Sequence, residues 1–245
     1  MGLASAHKSP VTTGHDNTQN TLPKLLPYRE FLANWAEARE KHDEFCLCLL
    51  RLSAPAPADN SEKGVELQTE TAQQPLPAND PAAFEAALTA TVKRCADLFE
   101  AKAFGGKYAE HSFIYFIPQT SPEEVRETLK IICEDTRQEF KLTLAVGVAK
   151  YPFLNFRKNE ALDNAAKALD YAMLLPHPNV GLVDSLALNI RADRHFSQGD
   201  IFAAINEYKL ALLEDEKNTT AWTSLGVCFA SIDNFNESRR CFEQA

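Results

Sequence analysis

The chain has 245 residues, enough for one large or two small domains with a core that needs no covalent staples. Its formal charge of -9, with no basic patch in the residue order, argues against a nucleic-acid-binding surface. Cys46, Cys48, Cys95, Cys133, Cys228 and Cys241 fall mostly inside apolar runs and form neither a CxxC pair nor a Cys/His cluster, so packing is expected of them rather than a metal site or disulfide framework. The N-terminal stretch has no secretory apolar region, its Met-Gly start resembles a myristoylation site only loosely, and no segment reads as a membrane span. A reducing, cytoplasmic setting is the expectation, with no nucleic acid and no membrane as partner.

Residues 1–22 are poor in large apolar side chains and read as a disordered arm. From Tyr28 to His42, Phe31, Leu32, Trp35 and Ala38 recur on one helical face. The run "FCLCLLRL", 45–52, is apolar on both faces, as a central strand requires. Residues 53–80 are rich in Pro, Ala and polar side chains without periodicity, and read as a long flexible insertion. Order resumes at Pro81, where Phe84, Leu88, Val92, Cys95 and Phe99 keep helical spacing.

Two strands, near 103–108 and 112–118, flank a turn and form a hairpin. The next helix has a marked start: Ser121 to cap, Pro122 at the first helical position and Glu124 to complete a capping box. Its inner face is Val125, Leu129, Ile132 and Cys133, and "KLTLAVGVA" then alternates as a strand with one face more apolar than the other. Strand, helix, strand, strand, helix, strand is the split βαβ, ferredoxin-like plan, an α+β class. A further helix near 160–175 and a short strand at "NVGLV" follow.

The last sixty or so residues differ in kind. A shift of 34 places Leu188 over Trp222, Ala192 over Gly226, His195 over Phe229, Ala204 over Ser238, Tyr208 over Phe242 and Ala211 over Ala245. Small residues recur where helices cross closely and large ones fill the gaps between. This resembles the tetratricopeptide repeat (TPR), with a period of about 34 residues. The fold class expected is therefore α+β, a ferredoxin-like βαββαβ core plus an extra helix and strand, followed by an all-α TPR helical hairpin array. The domains are 23–183 and 184–245. The second repeat breaks off inside its second helix, so the sequence reads as a piece of a longer protein.

From about Leu26 to Val180 the chain resembles the GGDEF domain of diguanylate cyclases. "LLPYREF" stands at the family's Leu-Pro-Asn-Arg helix start, and "KYAEHSFIYFIPQTSPEEV" lies over its Gly-Gly-Asp-Glu-Phe hairpin, strand and capped helix. "LTLAVGVAKYP" and "ALDNAAKALDYAM" match the later strand and helix. The resemblance implies the nucleotide-cyclase palm form of the ferredoxin-like core, in a domain related to enzymes that join two GTP molecules with two magnesium ions, whose positions need carboxylates at the first strand and in the hairpin.

Those residue types are missing here. Arg51 and Ser53 stand where the family has Asp-x-Asp. Ala109 and Glu110 replace its two glycines, and His111 and Ser112 its two acids. Met173 replaces the phosphate-meeting lysine, Pro176 and His177 a glycine-arginine pair, and Glu100 and Ala103 the Arg-x-x-Asp product site. The proline-rich insertion replaces the guanine-reading stretch. The resemblance thus implies a degenerate domain with no catalytic residues, no metal and no cofactor.

Plainer roles are expected for most of the marked residues. Glu110 and His111 read as solvated turn residues without a third ligand. Gly105 and Gly106 read as strand entry or a bulge, and Arg51 as a partner for a neighbouring acid. His195 takes a packing position. Asn189, Asp193 and Thr223 fall where TPR arrays line their concave groove, consistent with peptide binding and equally with a solvated face. The function expected is a non-catalytic signalling scaffold binding a protein or peptide through that groove. The alternatives are a nucleotide sensor for GTP or cyclic di-guanylate, with Arg51 and Lys107 as candidate rim cations, and more distantly a working cyclase.

Overall fold

The strand Phe45–Ser53 (β1) sends alternate side chains into two different cores. Cys46, Cys48, Leu50 and Leu52 enter one, and Phe45, Leu47 and Leu49 the other. A strand apolar on both sides needs a cover on both, and that requirement organises the chain. The computed structural model describes residues 25–55, 81–99 and 103–245. The expected arm at 1–22, nearly all of the expected insertion at 53–80, and Glu100 lie outside them.

Around β1 the sheet is completed by Phe104–Ala109 (β2), Ser112–Pro118 (β3), Thr143–Tyr151 (β4) and Val180–Leu182 (β5). Its order is β2-β3-β1-β4-β5, with β1 antiparallel to both neighbours and β5 parallel to β4. The first four strands thus have the expected ferredoxin-like arrangement. Helices Pro81–Leu98 (α2) and Pro122–Phe140 (α3) cover the Cys46 face, while Tyr28–Lys41 (α1) and Ala161–Ala172 (α4) cover the Leu47 face. The α3 start is as read: Ser121 Oγ accepts from the Glu124 amide at 3.2 Å.

From Leu144 to Ala149 β4 is buried on both faces, with Leu144, Val146 and Val148 on the face expected to be the more apolar. The other face is covered by α4, which lies so close that a Cβ on Gly147 would sit 2.1 Å from the Leu169 nitrogen and 2.3 Å from the Ala165 carbonyl oxygen. Ala161, Ala165, Ala168 and Ala172 supply the small buried side chains that this approach needs.

After β5 the chain passes directly into Ser185–Ser197 (α5), Ile201–Glu214 (α6), Thr219–Ser231 (α7) and Phe235–Gln244 (α8). The starts of α5 and α7 are 34 residues apart, as are those of α6 and α8. Their caps follow the same interval: Asp184 with Asn218, and Asp200 with Asn234, each accepting from a backbone amide three residues on. So do the left-handed residues of the inter-helix turns, Gly199 (φ +82°) and Asp233 (φ 59°). Gly226 admits the Phe242 ring, which a Cβ there would meet at 2.8 Å.

The two parts share one core. Leu188, Ala192, Ala204, Ile205 and Tyr208 belong to the same buried cluster as Ala161, Ala165 and Leu169 of α4. Ion pairs surround the seam: Lys167 with Glu207 (2.9 Å) and Asp163 (3.2 Å), Arg191 with Asp163 (3.1 Å) and Asp170 (3.2 Å), and Arg194 with Asp170 (2.6 Å). No helix among the described residues is long and apolar enough to cross a membrane.

Candidate functional site

The hairpin turn falls on Glu110 and His111, and a shift of register between Lys107 and Ala109 bends the strand leading into it. Ser112 opposes Ala109 on one side and Arg51 on the other. The Leu52 amide donates to the His111 carbonyl oxygen at 2.9 Å, which fixes the turn against the end of β1. These contacts bring Arg51, Ser53, Ala109, Glu110, His111 and Ser112 to the wall of one cleft of about 690 Å³, with Phe84, Tyr108 and Leu169 completing it. Met173 joins them from the end of α4, its sulfur 3.9 Å from Arg51 Nη1.

Two expectations change here. His111 is not a solvated turn residue. It is partly buried, and its imidazole lies over the Phe84 ring with centroids 4.3 Å apart and planes inclined by 30°. Arg51 forms no ion pair among the described residues; its expected acidic partner is replaced by the Met173 thioether. Glu110 is exposed and is the one carboxylate among the described residues lining the cleft. Among the described residues, no group of three or more His, Cys, Asp or Glu side chains is placed to hold a metal ion.

The flanking positions have tasks of their own. Gly105 and Gly106 lie in β2, where a Cβ would strike Tyr115 and Phe31, so they answer a packing need. His177 faces Glu134 at 2.7 Å. Hydrogen bonds accepted from Gln138 and from His177 hold the Glu134 carboxyl below the ordinary carboxylate range. Lys107 is exposed, outside the residues lining the cleft.

In the helical part the three groove residues separate. Asp193 and Thr223 line a small hollow of about 150 Å³ between α5 and α7, together with Phe196, Tyr208, Ser224 and Val227. Asn189 is 6% exposed and is withdrawn from a groove surface; its amide donates to Asp193 Oδ2 at 3.3 Å. Tyr208, 2% exposed, donates its hydroxyl to Asp193 Oδ1 at 2.5 Å. Burial, and then that carboxylate, push the phenol well above its ordinary range. A wider groove of about 950 Å³ runs between α6 and α8 over Trp222, Leu225 and Phe229.

The chain is similar to solved GGDEF domains. One is the GGDEF domain of DgcB from Caulobacter crescentus in complex with c-di-GMP: 15% identity, 70% of this chain and 98% of that one covered, TM-score 0.45. A second is the coiled coil and GGDEF domain of DgcB, with 14% identity, 66% and 83% covered, TM-score 0.46. The FimX GGDEF domain from Pseudomonas aeruginosa is a third, with 15% identity, 62% and 91% covered, TM-score 0.43. No family model matches the chain, and no curated protein does either.

Sequence reasoning missed Phe84 as the lid on His111, Tyr208 as the anchor of Asp193, and Lys167 at the seam. Phe84 and Tyr208 carried only a packing signal. Lys167 carried a contrary one, since a lysine within a helix is ordinarily solvated. The Asp and Asn caps at a 34-residue interval were visible in the residue order and were the one signal available to be read.

Proposed function

We propose that this chain is a non-catalytic signalling scaffold, in which a degenerate GGDEF-like domain is joined to TPR-like helices that bind a protein partner through the face between α5 and α7. The observation that carries the first half is the donor set at the cleft. Arg51 occupies the end of β1 opposite Ser112, and one exposed carboxylate, Glu110, lines the wall. Divalent cations bound to a triphosphate need several converging oxygens, and a guanidinium among them repels the ion. These residues do not fit magnesium, and phosphoryl transfer without it has no electrostatic means of stabilising the developing charge.

The second half rests on the 34-residue recurrence of helices, caps and left-handed turns, and on the hollow at Asp193 and Thr223. A nucleotide sensor is the second reading. It is favoured by Arg51, an exposed guanidinium at the cleft with no carboxylate partner among the described residues, which an anionic ligand would satisfy.

Calorimetric titration of the whole chain with GTP plus magnesium, and separately with cyclic di-guanylate, tests the first half. No heat at micromolar ligand is the expected result. Binding heat with either would replace the scaffold by the sensor, and appearance of cyclic di-guanylate from GTP would restore the enzyme.

A further inference from the structure

We infer that the hollow between α5 and α7 takes a lysine or arginine side chain from an extended protein segment, with Asp193 as its counter-ion. This names the chemistry of the partner and rests on the groove reading above. Asp193 is exposed, yet no cation pairs with it among the described residues. Its two arginine neighbours in α5 are drawn off: Arg191 binds Asp163 and Asp170, and Arg194 binds Asp170, all on α4.

Its carboxylate is nevertheless oriented. The Tyr208 hydroxyl holds Oδ1 at 2.5 Å and the Asn189 amide holds Oδ2 at 3.3 Å, both from buried side chains. Two donors spend two of the roughly four acceptor sites of a carboxylate and leave the outward ones for a cation. An oriented charge loses less freedom on binding than a mobile one, which is what separates a docking carboxylate from an ordinary surface acid.

The rest of the hollow is uncharged. The helix α7 has no Lys, Arg, Asp or Glu in its sequence. The Thr223 hydroxyl donates to the Thr219 carbonyl and that of Ser231 to the Val227 carbonyl, each at 2.9 Å, so both turn their polar atom toward the helix. Phe196 and Val227 add apolar surface. A hollow of about 150 Å³ admits one side chain and no helix. The matching partner is an extended segment that lays the stem of a Lys or Arg along Phe196 and Val227 and its head on Asp193. The same lone negative charge disfavours an acidic segment.

The test is selection of short random peptides displayed on phage against the whole chain. Binding of the selected peptides is then measured by fluorescence anisotropy to the wild type, Asp193→Asn and Val227→Trp. Asparagine still accepts from Tyr208, and Val227 is 41% exposed, so both variants are expected to fold, with circular dichroism as the check. The inference expects a Lys or Arg beside aliphatic residues, about tenfold weaker binding with Asp193→Asn or with Gln in place of the basic residue, and loss with Val227→Trp. Selected peptides that are neutral or acidic, indifferent to Asp193→Asn yet lost with Val227→Trp, would overturn the cation while leaving the groove. No peptide, or none lost with Val227→Trp, would overturn both.

Discussion

The ammonium of Lys167, only 2% exposed, lies 2.9 Å from the Glu207 carboxylate, joining α4 of the sheet domain to α6 of the helical part. Asp163 adds a second contact at 3.2 Å, and the Phe156 ring lies under the charge at 4.8 Å. A lysine this deep is stable only while paired, so the pair ties the position of the helices to that of the sheet. The same helix α4 is followed directly by its C-cap Met173 beside Arg51, so one element carries the seam and leads to the cleft.

Breaking this pair from one side leaves Lys167 with the more exposed Asp163 alone, or leaves the largely buried Glu207 without its cation. Glu207→Gln and Lys167→Met are each expected to lower the unfolding free energy by about 3 kcal/mol. The double variant Lys167→Met/Glu207→Leu should lose clearly less than the sum, because the second change removes the stranded charge. Urea unfolding of the four proteins measures this, and additive losses would refute it.

Two glycines should respond in different ways. Gly147→Ala presses a methyl into the α4 backbone, which cannot step aside as a side chain can, and is expected to cost about 3 kcal/mol. Gly199→Ala meets nothing within 4 Å and suffers only from its φ of +82°, about 1 kcal/mol. Thermal unfolding should rank them in that order, and the reverse ranking would contradict the close α4 approach.

Phe84 is 9% exposed and holds His111 by its face. Phe84→Ala is expected to cost about 3 kcal/mol and to shift the imidazole proton resonances of His111 downfield as the ring current is lost. Unmoved resonances would show that the stack does not persist in solution.

Burial pushes the Cys46 and Cys133 thiols up to about 12 from an ordinary value of 9.0, with Cys48 and Cys95 also raised. The unfolded chain releases these protons near 9 while the folded one keeps them, so folding binds protons above that pH. Stability is therefore expected to be full below pH 9 and to fall as pH rises from 9 toward 12. Denaturant midpoints at pH 7, 9 and 10.5 check this, and the quadruple Cys→Ala variant should lose much of the slope. A flat profile in the wild type would contradict it.

Much of this architecture could be read in advance. Helical spacing marked α1, α2 and α3, a run apolar on both faces marked β1, alternation marked β4, Ser121 and Pro122 marked a helix start, and the interval of 34 marked the recurrence at the chain's end. The site was half legible. Arg51, Ser53, Ala109, Glu110, His111 and Ser112 were singled out from the sequence and do line one cleft, but the partners of Arg51 and His111 were misjudged, because Met173 and Phe84 are far away along the chain. Asn189 was placed on a surface by analogy of position, and the packing of α5 buries it.

By itself the sequence determined what is local: which segments are strand or helix, where they start and turn, and which residue types stand at the cleft. Only the tertiary structure decided which charges are neutralised, that Lys167 is buried, that no cation among the described residues pairs with Asp193, and that both faces of β4 are covered. Periodicity and caps act within a few residues of chain. Desolvation and ion pairing depend on whatever distant segment folding brings alongside, and nothing in a residue's own neighbourhood records it.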